Sequence, residues 1–159
     1  LTGALSRSAW LKAAETEFSR DKRYQHGVAL AMLDIDHFKS INDNFGHQIG
    51  DKILKHFATQ IGESLRDTDM LGRYGGEEFV IVLPENTEQN AVDAVARIRT
   101  RINEHPYRID ADTQKTIKFS AGVALRQDDE AVLDTLKRAD EALYRAKENG
   151  RDQTERASK

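Results

Sequence analysis

Val28-Ala29-Leu30-Ala31-Met32-Leu33-Asp34-Ile35 is an apolar run of strand length that closes on an acidic pair, Asp34 and Asp36. It shows no apolar–polar alternation and so has no solvent face, which makes it a central strand buried on both sides. Outward from it the period changes. Trp10, Leu11, Ala14 and Phe18 predict an amphipathic helix over about residues 8–18. Helical spacing returns over residues 37–44 and 50–65, where Ile53, Leu54, Phe57, Ile61 and Leu65 share a face. Residues 70–74 and 78–83 flank Gly75-Gly76 as the two arms of a β-hairpin, with Pro84 stopping the second arm. Thr87 caps a helix that reaches residue 103, residues 117–125 form another core strand, and a long helix over 129–149 ends at Gly150. The order predicts an α+β fold with a ferredoxin-like βαββαβ core, a mainly antiparallel sheet covered by helices. No repeat or linker interrupts it. One domain is expected over residues 1–152, with 153–159 as a loose tail.

Composition narrows the function classes. The 159 residues are 38% hydrophobic and 32% charged, the balance of a globular domain that can bury a core. A net charge of −3 argues against wrapping nucleic acid, although a few local cations suffice for a phosphate ligand. The absence of cysteine excludes a disulfide framework, a thiolate metal site and a cysteine nucleophile. No apolar run approaches the ~18 residues of a spanning helix, and a cytoplasmic setting is expected, either alone or as the output domain of a membrane-bound sensor. The start at Leu1 suggests a piece of a longer protein with an upstream sensory or receiver domain.

Carboxylates carried into a cleft by a strand end are one way to hold divalent metals for phosphoryl transfer, and an acidic surface loop is the plainer alternative. Gly75-Gly76-Glu77-Glu78-Phe79 adds a turn whose backbone can approach a ligand closely, with Glu77 and Glu78 at its tip. This segment resembles the signature loop of the GGDEF family of diguanylate cyclases in its Gly-Gly-Glu-Glu-Phe form. The resemblance extends through Leu1-Thr2-Gly3-Ala4-Leu5-Ser6-Arg7, Asp34-Ile35-Asp36-His37-Phe38-Lys39-Ser40-Ile41-Asn42-Asp43 and Gly46-His47-Gln48-Ile49-Gly50-Asp51. It continues in Ser120-Ala121-Gly122-Val123-Ala124 and in the closing helix from Ala139 to Arg151, so it covers residues 1–152.

What the resemblance implies is a nucleotidyl cyclase-like fold that condenses two GTP into cyclic di-GMP and two pyrophosphates. Asp34, Glu77 and the Ile35 carbonyl would hold Mg²⁺ or Mn²⁺, two ions per half-site. Glu78 would bind metal or handle the 3′-hydroxyl proton, and Asp36 would act directly or in support. Asn42 and Asp51 would read guanine, whose N–H donors suit an amide oxygen and a carboxylate. Phe38, Lys39, Gly75, Gly76, Lys147 and Arg151 would contact the nucleotide, the two cations of the last helix binding phosphate. Asp152 stands where the family usually has asparagine and brings a negative charge beside that phosphate. Arg66-Asp67-Thr68-Asp69, with Arg97, resembles the family's inhibitory site for cyclic di-GMP. A two-fold symmetric product implies a homodimer of facing half-sites. The rival readings are a receptor that binds cyclic di-GMP without catalysis, a cyclase with an adenine-containing product, and a nucleotide-free interaction module.

Overall fold

The computed structural model describes residues 3–158; of the expected opening motif, Leu1 and Thr2 lie outside them. The chain runs α1 (Arg7–Tyr24), β1 (Val28–Ile35), α2 (Phe38–Phe45), α3 (His47–Ser64), β2 (Met70–Arg73) and β3 (Glu78–Pro84). It continues through α4 (Glu88–Glu104), β4 (Tyr107–Arg108), β5 (Gln114–Lys115), β6 (Phe119–Leu125), α5 (Val132–Glu148) and β7 (Thr154–Arg156). The main sheet has the order β2-β3-β1-β6-β7, in which β1 pairs antiparallel with both β3 and β6. With α3 and α4 as crossovers this is the expected βαββαβ core, and every residue of β1 is buried.

Alternation along β1 divides the core into two layers. Ala29, Ala31, Leu33 and Ile35 face one way, onto the apolar faces of α2, α3 and α4, where Phe57 meets Phe79 and Phe119 edge to face at 5.4 and 5.5 Å. Val28, Leu30 and Met32 face the other way, onto Trp10, Ala14 and Phe18 of α1 and Leu136, Ala139 and Leu143 of α5. Gly122 in β6 sets how close α5 comes. A Cβ there would stand 2.1 Å from the Ala139 carbonyl oxygen and 2.4 Å from the Leu143 nitrogen, so the helix backbone lies directly on the strand. Two ion pairs pin the rim: Arg126 with Asp21 at 3.1 Å, both side chains under a tenth exposed, and Arg138 with Glu130 at 2.6 Å.

Three expectations need correction, and one element is additional to them. The tail after Arg151 is not loose: Thr154–Arg156 pairs parallel with β6, and Ala157 donates to the Val123 carbonyl at 2.8 Å. Its side chains are mostly polar because it lies at a sheet edge, so no apolar pattern announces it. Pro84 is the last residue of β3, where only its carbonyl takes part, accepting from Arg66 and Asn86. The last helix starts at Val132, since Asp129 has φ 67°, outside helical space. The small β4–β5 hairpin has a polar sequence and was not anticipated. No helix among the described residues is long and apolar enough to cross a membrane.

Two consequences are measurable. Gly122→Ala should lower the urea midpoint by the equivalent of roughly 2 kcal/mol, because the methyl meets backbone that cannot swing aside; an unchanged midpoint would refute the close approach. Glu130 is held down to about 2, from 4.5, chiefly by its hydrogen bonds from Arg138. A depressed carboxylate stabilises fully above its unfolded value and loses that contribution as pH falls through its folded one. Glu130→Gln should therefore cost about 1 kcal/mol at neutral pH, with the gap to the parent narrowing below pH 4.5; a pH-independent gap in thermal unfolding would contradict this.

Candidate active site

The alternation that builds β1 also aims its acidic end. Asp34 follows Met32 on the α1/α5 face and is flanked in register by Glu78 of β3 and Ser120 of β6. It is only 4% exposed. Lys147, on the last turn of α5, caps it with a short hydrogen bond from Nζ to Oδ2. Burial pushes the Asp34 carboxyl above the usual carboxylate range; Lys147 pulls it back, and the charges of Glu77 and Asp36 push it up again. Glu78 is likewise raised, first by burial and then by Asp34 and Asp140, with Lys147 opposing. Three carboxylates therefore share one strand end against a single lysine.

Asp36 is not part of that open cluster. Ser120 Oγ donates to its Oδ1 at 2.7 Å and the Asp152 amide donates to its Oδ2 at 2.9 Å, so both oxygens are engaged in holding the chain. The double-glycine turn is held from two sides. Arg73 donates from Nη2 to the Gly76 carbonyl at 2.7 Å and from Nε to the Gly75 and Gly76 carbonyls at 3.2 Å. The Glu77 carbonyl accepts from the Ile35 amide at 3.4 Å. Arg7 stacks over the Tyr74 ring at 3.9 Å and donates to its hydroxyl at 2.9 Å.

After β1 the chain passes through His37, in the left-handed region at φ 57°, into α2, whose first turn has no side-chain cap. Phe38 is buried and Lys39 is exposed there, leaving amide groups at a helix start where phosphate binds readily. Asn42 Oδ1 is buried and lacks a hydrogen-bond partner. It lies so close to Gly50 that a Cβ there would be 1.9 Å away, which puts Asn42 beside Asp51, exposed in the first turns of α3. An orphaned buried acceptor next to an exposed carboxylate is a fitting place for a ring that carries N–H donors. Arg151 is exposed and its side chain makes no ion pair among the described residues. The charge of Asp152 does not face a phosphate unopposed: it pairs with Arg99 at 3.0 Å and approaches Lys118 at 3.8 Å.

The second cluster lies elsewhere. Arg66, Asp69 and Arg97 line a cavity of about 220 Å³, with Asn90 and Asp93 on its wall. The Arg66 guanidinium is braced by Asp69 Oδ1 at 3.0 Å and by the Pro84 carbonyl at 2.7 Å, and its pKa is raised chiefly by the Asp69 hydrogen bond. Its side chain is half exposed, leaving a cationic face toward the cavity.

The donor set fits a magnesium ion. Asp34 and Glu77 supply hard oxygens, and a cation, Lys147 Nζ, already sits on Asp34. Among the described residues no three His, Asp or Glu side chains enclose an ion by themselves. Arg73, Arg99 and Ser120 hold this architecture, and the sequence assigned none of them a role. Arg73 had one visible signal, a cation two residues before a double glycine, and Ser120 opens the Ser120–Ala124 segment of the resemblance; Arg99 had none.

The GGDEF family model, described as diguanylate cyclase, GGDEF domain, matches residues 1–153. Diguanylate cyclase DgcP of Pseudomonas aeruginosa is 42% identical over 98% of the chain, which spans 23% of that relative's length. The GGDEF domain of DgcB from Caulobacter crescentus, solved in complex with c-di-GMP, superposes with a TM-score of 0.93 at 31% identity, covering 99% of this chain and 91% of that one. The active GGEEF domain of a diguanylate cyclase from Vibrio cholerae has a TM-score of 0.90 at 35% identity, covering 98% of both. With the acidic strand end, the Gly-Gly-Glu-Glu-Phe turn and the whole-length match in agreement, the chain belongs to the GGDEF family of diguanylate cyclases.

Proposed function

We propose that this domain condenses two molecules of GTP into cyclic di-GMP, each half-site contributed by one copy of a homodimer. The observation that carries the reading is the convergence of Asp34, Glu77, Glu78 and Lys147 at one end of the sheet, beside a glycine turn held by Arg73. Magnesium bound by Asp34, Glu77 and the Ile35 carbonyl would polarise the α-phosphate and lower the pKa of the attacking 3′-hydroxyl. Asn42 Oδ1 and Asp51 accept from the guanine edge, which adenine cannot satisfy in the same way. The uncapped start of α2 with Lys39, and Lys147 and Arg151 from the other side, hold the phosphates. Glu78, whose raised pKa is caused first by burial, is suited to take the hydroxyl proton or to bind metal. Each 3′-hydroxyl attacks the α-phosphate of the other nucleotide and two pyrophosphates leave, so the chemistry rests on positioning and charge neutralisation. An upstream domain would regulate how often two copies meet.

Incubation of the concentrated domain with GTP and Mg²⁺, followed by chromatography, should yield cyclic di-GMP and pyrophosphate, and ATP should yield neither. Glu77→Ala should reduce turnover by at least about a hundredfold. Absence of product even after fusion to a dimeric coiled coil would overturn the catalytic reading and leave a nucleotide receptor.

The Arg66–Asp69–Arg97 cavity is read as a product site, since an arginine fork can address guanine O6 and N7 or phosphate oxygens. Arg66→Ala should weaken cyclic di-GMP binding by more than about tenfold in calorimetry, with turnover at low product retained. Unchanged product affinity would remove the assignment.

A further inference from the structure

The turn after α5 is held in a conformation its residues do not favour. Gly150, Arg151 and Asp152 have φ of 116°, 65° and 47° in succession. Glycine adopts such values freely, whereas an arginine there is uncommon and persists only where the surroundings enforce it. The enforcing contacts are specific. The Arg151 amide donates to the Ala146 carbonyl at 2.9 Å, and the Asp152 amide to Asp36 Oδ2 at 2.9 Å, two residues from Asp34. The Asp152 side chain is gripped by Arg99, which donates from Nη1 to its Oδ1 at 3.0 Å.

Arg99 is anchored where this turn meets the sheet. It comes from α4, its side chain is 18% exposed, and its guanidinium lies over the Phe119 ring at 4.0 Å. The same group donates to the Phe119 carbonyl at 2.6 Å and to Thr154 Oγ1 at 3.0 Å. It thus joins β6, the turn and β7 through one planar fork, which a lysine could not reproduce.

Building on the proposed phosphate role of Arg151, we infer that Arg99 and Asp152 are positioning residues for it: the hydrogen bond from Arg99 to the Asp152 side-chain oxygen holds the left-handed turn that keeps Arg151 at the acidic strand end. Neither needs to touch the nucleotide. The aspartate at 152 is part of the device, because its carboxylate oxygen accepts from Arg99 while its amide is tied to Asp36.

Calorimetric titration of the whole domain with 3′-deoxy-GTP and Mg²⁺ tests this, since that nucleotide lacks the attacking hydroxyl; guanosine serves as the phosphate-free probe. Arg151→Ala, Arg99→Ala and Asp152→Ala should each weaken 3′-deoxy-GTP about tenfold and leave guanosine unchanged. Asp152→Ala combined with Arg151→Ala should bind no more weakly than Arg151→Ala alone. Asp152→Asn, which keeps the acceptor oxygen, should stay within about twofold of the parent. Asp152 is 42% exposed, so its variants keep the fold even where Arg99→Ala does not. The inference is overturned if Asp152→Ala leaves 3′-deoxy-GTP binding unchanged, weakens guanosine equally, or adds its full effect to that of Arg151→Ala. A parent domain that fails to bind 3′-deoxy-GTP would instead sink the functional reading on which the inference rests.

Discussion

Everything at the active end depends on a carboxylate placed where the fold least tolerates one. β1 is hydrogen-bonded on both sides and covered on both faces, so Asp34 at its end is taken almost wholly out of water. An unpaired buried charge would cost several kcal/mol. The lysine that offsets it comes from a helix 113 residues later in the chain, so the pairing holds only if α5 lies close against the sheet. That closeness comes from Gly122, whose missing side chain lets α5 rest its backbone on β6. Strand burial, helix seating and site electrostatics form one chain of dependence.

The sheet also keeps the two proposed ligand sites apart on so small a domain. β3 begins at Glu78, in the carboxylate cluster, and ends at Pro84, whose carbonyl braces Arg66. Seven residues of strand, at ~3.3 Å per residue, separate the two ends by roughly 20 Å. Direct contact between ligands at the two ends is excluded by that length. In the proposed scheme, product bound at Arg66 acts on how two domains meet rather than on the chemistry within one.

Much of this was legible in the sequence because it obeys periodicity. A non-alternating apolar run could only be a central strand, and the hairpin announced itself by two glycines between apolar arms. The signature carboxylates could be placed because they sit at the ends of those strands. What stayed hidden has another physical origin. β7 is an edge strand whose stability comes from main-chain pairing with β6, so its sequence, Thr154-Glu155-Arg156, carries no apolar signal. Arg99 lies one position past Ile98 at the border of an apolar helix face, and its role comes from residues 20 and 53 positions away. The charge of Asp152 is paired by the same contact, which sequence spacing cannot show.

The site is charged so that it is incomplete alone. Asp34 and Glu78 are raised above the usual carboxylate range first by burial, Asp34 further by Glu77 and Asp36 and Glu78 further by Asp34 and Asp140, with one lysine opposing both. Such a cluster is poorly compensated without a further cation, and in the proposed scheme a metal carried in with nucleotide phosphates would relieve that repulsion. In that scheme metal without phosphates would lack ligands, and phosphates without metal would meet carboxylates. Asn42 adds the third condition through a buried oxygen that has no partner until a donor reaches it. In the proposed scheme metal, phosphate and base would each satisfy a different defect, and the domain would favour one nucleotide by leaving specific groups unsatisfied rather than by tight enclosure.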